Sequence, residues 1–110
     1  MKAEYCHKGE SLDYTNGSDS KIEANQVVSL RTRIGVAGTE INQKETGSIH
    51  VEGVFKLKKA SSEAITMGTS VYYDESEQCI TATAASNIPA GYATANTAES
   101  DYYVHVKLLG

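Results

Sequence analysis

The chain contains no tryptophan, one phenylalanine, one proline and two cysteines in 110 residues. Two thiols cannot build a disulfide framework, and neither Cys6 nor Cys79 stands in a C-x-x-C or other short chelating spacing, which argues against a zinc ribbon or finger. Far apart in sequence, both are expected to stay free. Also missing is any run of about 18 apolar residues that could cross a bilayer. Met1-Lys2-Ala3-Glu4-Tyr5 lacks an apolar signal region, so synthesis in a cytoplasm is expected, with no membrane partner. Basic clusters are scarce: 10 Lys and Arg stand against 14 Asp and Glu, for a formal charge of −4. Without a surplus of cations to displace counterions from a polyphosphate, no nucleic-acid partner is expected.

The residues of catalysis are equally thin. His7, His50 and His105 form no H-x-x-x-H pair, and adjacent Cys6 and His7 would point to opposite sides of an extended chain. No G-x-S-x-G elbow is present, and Gly35-Val36-Ala37-Gly38-Thr39 lacks the G-x-x-x-x-G-K-[ST] pattern that cradles phosphates. Asn16-Gly17-Ser18 matches a glycosylation sequon but reads better as a turn. The expectation is a protein that is not an enzyme and has no metal or cofactor.

What is present is a period of two. Ile49, Val51, Phe55 and Leu57 share one parity, with His50, Glu52, Lys56 and Lys58 on the other, and this predicts one long half-buried strand. Val104, Val106 and Leu108 repeat the pattern near the end, with Tyr102 on the same parity and Tyr103, His105 and Lys107 opposite. These apolar residues are expected to face one core. Shorter strands are predicted at 11–15, 26–30, 33–37, 70–73, 78–83 and 91–94, from their β-branched and aromatic content. Asn16-Gly17 predicts a hairpin turn leading toward Ile22, and 74–77 a second one. Pro89 suits the start of a strand. Residues 61–67 carry the only helical signals, a serine cap and Gly68 behind, so at most one short helix is expected there.

An internal repeat is also visible: Ile34-Gly35-Val36-Ala37 precedes Ile49 and Val51 as Ala90-Gly91-Tyr92-Ala93 precedes Val104 and Val106. Many short strands and little helix predict an all-β fold, a small single-domain β-sandwich or barrel, jelly-roll-like. Residues 9–110 form the β domain, and residues 1–8 are either an N-terminal arm or a first strand. A domain of this size removes only about 65% of its unfolded surface from water, which favours a homo-dimer or homo-trimer. Seven of the chain's eight aromatic rings are tyrosines. Tyr72-Tyr73 and Tyr102-Tyr103 should each put one ring inward and one outward, and with Tyr5 they are the candidate interface residues, against the alternative of packing on the domain's own surface. Lys56, Lys58 and Lys59 read as protection of a sheet edge.

The order of several short elements resembles the phage capsid cement, or decoration, protein family. They are Gly9-Glu10-Ser11-Leu12, Arg33-Ile34-Gly35-Val36-Ala37, Val51 to Lys59, Met67 to Asp74, Ile88 to Ala93 and Val104 to Leu108. Where the family more often has a glycine in a tight turn, this chain has Ala24-Asn25-Gln26, and asparagine tolerates the same left-handed backbone. The resemblance implies a structural virion protein on the outer capsid surface of a tailed phage, bound to the major capsid protein and stabilising it by bridging subunits. It implies no catalytic residues. The competing expectation is another virion β-module: a head-completion, tail or receptor-binding component.

Overall fold

The period-two pattern is realised as nine strands and no helix in the computed structural model, which describes residues 1–110. In chain order they are β1 (Ser11–Thr15), β2 (Val27–Ser29), β3 (Ile34–Ala37), β4 (Thr46–His50), β5 (Val54–Lys58), β6 (Ser70–Asp74), β7 (Cys79–Thr81), β8 (Ile88–Ala93) and β9 (Tyr103–Leu108). They form two antiparallel sheets, ordered β1-β4-β3-β2 and β5-β9-β8-β6-β7. Each sheet is built from one continuous half of the chain. The second is rolled until its edges meet: Ala60 N donates to Ile80 O at 2.8 Å and Lys59 bridges Ile80. Closure of this kind hides the unpaired edge groups that an open sheet leaves in water.

The final strand follows its alternation, with Val104, Val106 and Leu108 buried and Tyr103, His105 and Lys107 exposed. The long strand expected over 49–57 is instead two strands in different sheets. The chain turns at Gly53, whose φ of 110° favours glycine. Apolar parity runs unbroken through this corner, so the residues expected to share one core are divided between two. Ile49 and Val51 join Ile22, Val28, Ala37 and Ile41 in the smaller cluster. Phe55 and Leu57 flank the larger one, which holds Val104, Val106 and Leu108 together with Ile34 and Val36 of the first sheet. Strand β3 therefore serves both: Ala37 faces the smaller cluster, while Ile34 and Val36 face the second sheet.

Two local expectations fail for physical reasons. Residues 61–67 are not helical, because Ser62 turns with φ 58° and Ile65 exchanges backbone hydrogen bonds with Thr97. A few cap-like residues cannot repay helix nucleation when a neighbouring segment offers partners. Asn16-Gly17 is not a hairpin turn either, since β1 pairs with β4 and Ile22 pairs with Ile41. Asn16 is instead fully buried, its amide donating to Ser20 O at 2.9 Å and Ile41 O at 3.0 Å while Oδ1 accepts from Ser18. The loop at 74–77 does form as expected, around Asp74 Oδ1, which accepts from Ser76 and Glu77.

The internal repeat spans almost the whole fold. The order β1-β4-β3-β2 recurs as β5-β9-β8-β6, and β7 is an addition to the second copy. Asn25 N to Ala37 O matches Gly68 N to Ala93 O, and both donors have positive φ, 69° and 89°. Gly38 N to Ser48 O matches Thr94 N to His105 O. Val51 N to Glu10 O matches Leu108 N to Gly53 O. Ala37 lies opposite Ile49 as Ala93 lies opposite Val106, so Ile49 corresponds to Val106, two residues beyond the match suggested by sequence alone. Asn16 corresponds to Lys59. Lys59 is buried, and its ammonium donates to the carbonyls of Ala60, Glu63 and Glu99, holding the same corner that Asn16 holds with Ser20.

Candidate interaction surface

Strand alternation puts β5 and β9 side chains on a common outer face of the second sheet. Lys56 lies opposite His105, Lys58 opposite Tyr103 and Val54 opposite Lys107, and Lys107 in turn lies opposite Tyr92 of β8. The Lys56 ammonium sits 4.5 Å from the centre of the Tyr103 ring, within the range of a cation–π contact. Val54 and Tyr103 remain about half exposed, at 54% and 51%, and Tyr92 is 42% exposed. Large apolar and aromatic side chains thus alternate with lysines on a broad accessible sheet.

The five tyrosines singled out from sequence are dispersed rather than gathered. Tyr5 is 81% exposed, outside both sheets. Tyr72 and Tyr73 are both half-buried, and Tyr73 packs on the larger cluster as alternation requires. Burial, reinforced by Glu75, raises the Tyr73 hydroxyl above its ordinary pKa. The second pair departs from expectation: Tyr102 and Tyr103 are both exposed, because Tyr102 precedes β9 and is released from its alternation. Only Tyr103 belongs to the lysine-bearing face. Tyr92 and Val54 also stand there, and isolated residues of this kind carry no sequence signal until the strand register is known. Lys59 does not protect an edge, since it points inward.

The remaining reactive groups are separate. His7 accepts a hydrogen bond from Gly9 N at 3.0 Å, His50 shares one with Ser11 at 3.2 Å, and His105 points outward from β9. No group of three or more His, Cys, Asp or Glu residues is placed to hold a metal ion. Cys6 is exposed and Cys79 buried, both free. Burial, with Asp74 adding to it, pushes the Cys79 thiol up, away from the thiolate that nucleophilic chemistry uses. A cleft bordered by Gln26, Lys58, Tyr73, Glu75 and Gln78 lies between the sheets, and its mixed lining converges on no single reacting position.

Comparison with curated proteins and with solved structures finds no match. The family model described as phage cement protein matches residues 6–108, which include all nine strands. That family has a structural, capsid-associated role, and its match covers both copies of the internal repeat. By that match, the chain belongs to the phage cement protein family.

Proposed function

We propose that the protein binds the outer surface of a tailed-phage capsid and stabilises it by bridging neighbouring subunits of the major capsid protein. The observation that carries this reading is the family match across residues 6–108. A ligand that binds only the intact shell stabilises it by mass action. Contacts that are individually weak become strong when repeated by symmetry, so a dimer or trimer fits the task. The protein acts on this reading without a cofactor and without nucleic acid or membrane as partner. A mass-spectrometric inventory of purified particles tests it. Hundreds of copies per particle are expected, whereas a handful would point to a head-completion or tail component.

Residues 1–8 supply an arm in this reading. Every one is exposed and none belongs to a strand. Their polar contacts are local: Cys6 with Glu4, His7 with Gly9, and Lys8 with Glu10 at 2.9 Å. Such a segment can add a strand to, or drape over, a neighbouring subunit, with Tyr5 as its apolar anchor. Deleting Met1 to His7 should leave the melting temperature unchanged and strongly reduce addition to capsids. Full capsid binding by the truncated chain, or its unfolding, would refute the arm.

A further inference from the structure

We infer that the outer face of β5, β9 and β8 is the surface on which the protein docks, and that its partner is an acidic protein surface on the shell. This rests on the capsid reading above and deepens it. Two observations meet here. First, charge is segregated: Lys56, Lys58 and Lys107 stand on this face, and none of the outward positions of β5, β9 or β8 is Asp or Glu, in a chain with 14 acidic and 10 basic residues. A face of this sign complements a negative partner and repels the same face of another copy.

Second, the internal repeat shows how this face is used elsewhere in the same molecule. In the first sheet one cross-strand row reads Ser11, His50, Val36, Val27; in the second, the matching row reads Val54, Lys107, Tyr92, Ser70. Val36 is 3% exposed because the second half of the chain covers it, while its counterpart Tyr92 has no such cover. The plan of the repeat thus buries this face at Val36 and leaves it open at Tyr92. Where it is open, valine has become tyrosine and histidine has become lysine, side chains that stay soluble when free and bury apolar stems when docked.

Nucleic acid fits less well. Three lysines make a small electrostatic footprint on a chain of charge −4, and Tyr103 already carries Lys56 over its ring instead of offering that side to a base.

The test uses the full chain and capsids of the parent phage assembled without it, with binding read by co-sedimentation at several salt concentrations. K56E/K107E should keep its melting temperature and bind at least tenfold more weakly. Asp13→Lys, at the position in the first sheet that matches Lys56, should bind as the unaltered chain does. Binding of the unaltered chain should weaken as salt is raised. If K56E/K107E melts lower, K56Q/K107Q replaces it, with a several-fold loss expected. Undiminished binding by a folded variant overturns the face. So does loss of self-association in the variant with capsid binding intact, which would assign the face to contacts between copies. Lysine-dependent binding to a single-stranded oligonucleotide would overturn the acidic-protein partner. If the unaltered chain fails to bind capsids at all, the capsid reading itself falls.

Discussion

Asn16 and Lys59 close the same corner of two sheets built on one plan, yet one does it with an amide and the other with an ammonium. Asn16 divides its bonds, donating to Ser20 O and Ile41 O and accepting from Ser18. Lys59 can only donate, and it meets three carbonyls with no carboxylate beside it. What the repeat conserves is therefore a demand, a buried donor facing loop carbonyls, and not a residue type. The same holds for the positive-φ turn, met by Asn25 in one half and by Gly68 in the other. The halves differ where demand differs: the first sheet presents Val27, Ile34 and Val36 to its partner sheet, and the second presents lysine and tyrosine to solvent.

Glycine offers the sharpest way to break this equivalence. Gly35 and Gly91 occupy matching positions, but a Cβ on Gly91 would lie 1.8 Å from the Lys107 carbonyl oxygen, at a φ of 152°. On Gly35 the nearest atoms would be Ile49 Cδ1 at 3.0 Å and His50 O at 3.2 Å. Gly91→Ala should separate β8 from β9 and cost about 4 kcal/mol or more, enough to leave little folded protein, and Gly35→Ala about 1–2 kcal/mol. Chemical denaturation of the two variants measures the contrast, and equal effects would show that the copies do not pack differently at this point.

A smaller effect should come from the two corner donors. Asn16→Ala removes one donor each from Ile41 O and Ser20 O, which keep Ile22 N and the Ser18 hydroxyl, and Lys59→Met leaves the Ala60, Glu63 and Glu99 carbonyls without their side-chain donor, each at about 1–3 kcal/mol. The first should be the more damaging, because Ser18 also loses its acceptor. Urea midpoints decide the order, and a neutral Lys59→Met would mean that the ammonium is dispensable to its loop.

The smallest concerns the hairpin that the first half lacks. Asp74 is held below its ordinary pKa by the Ser76 hydroxyl and then by the Glu77 and Ser76 amides. A lowered carboxyl stabilises the fold fully above its ordinary value of 3.8 and loses that contribution as pH falls through the lower folded value. Protection of the Ser76 and Glu77 amides, taken relative to their intrinsic exchange rates, should fall in that acid window, while protection at the corresponding end of β2 stays constant. Asp74→Asn should remove the pH dependence and leave the sheet intact.

How much of this could be read beforehand depended on whether the signal was local. Tyr103 to Leu108 was legible because each side chain's exposure follows from its parity alone. The break between β4 and β5 was not, since Ile49, Val51, Phe55 and Leu57 keep one parity across a corner that moves them between sheets. Only Gly53 marks it. The Asp74 loop was legible, being a short-range arrangement of one carboxylate and the amides that follow it. Asn16 was misread because asparagine before glycine favours a turn, and its burial depends on Ile41 O, supplied by a distant loop. Of the candidate interface, Tyr103 was in view, but the lysines of β5 read as edge protection, and Tyr92 and Val54 join them only through strand register.

The first sheet is complete in sequence by His50, before any residue of the second has been placed. During synthesis its four strands and its smaller cluster can therefore assemble while the rest of the chain is still within the ribosome. At that stage Ile34 and Val36 have no cover, because the strands that bury them have yet to emerge. A first sheet that closes at that stage would display a bare aliphatic stripe until the strands of residues 54–108 arrive. The speed of translation across residues 54–108 sets how long neighbouring nascent chains have to find it.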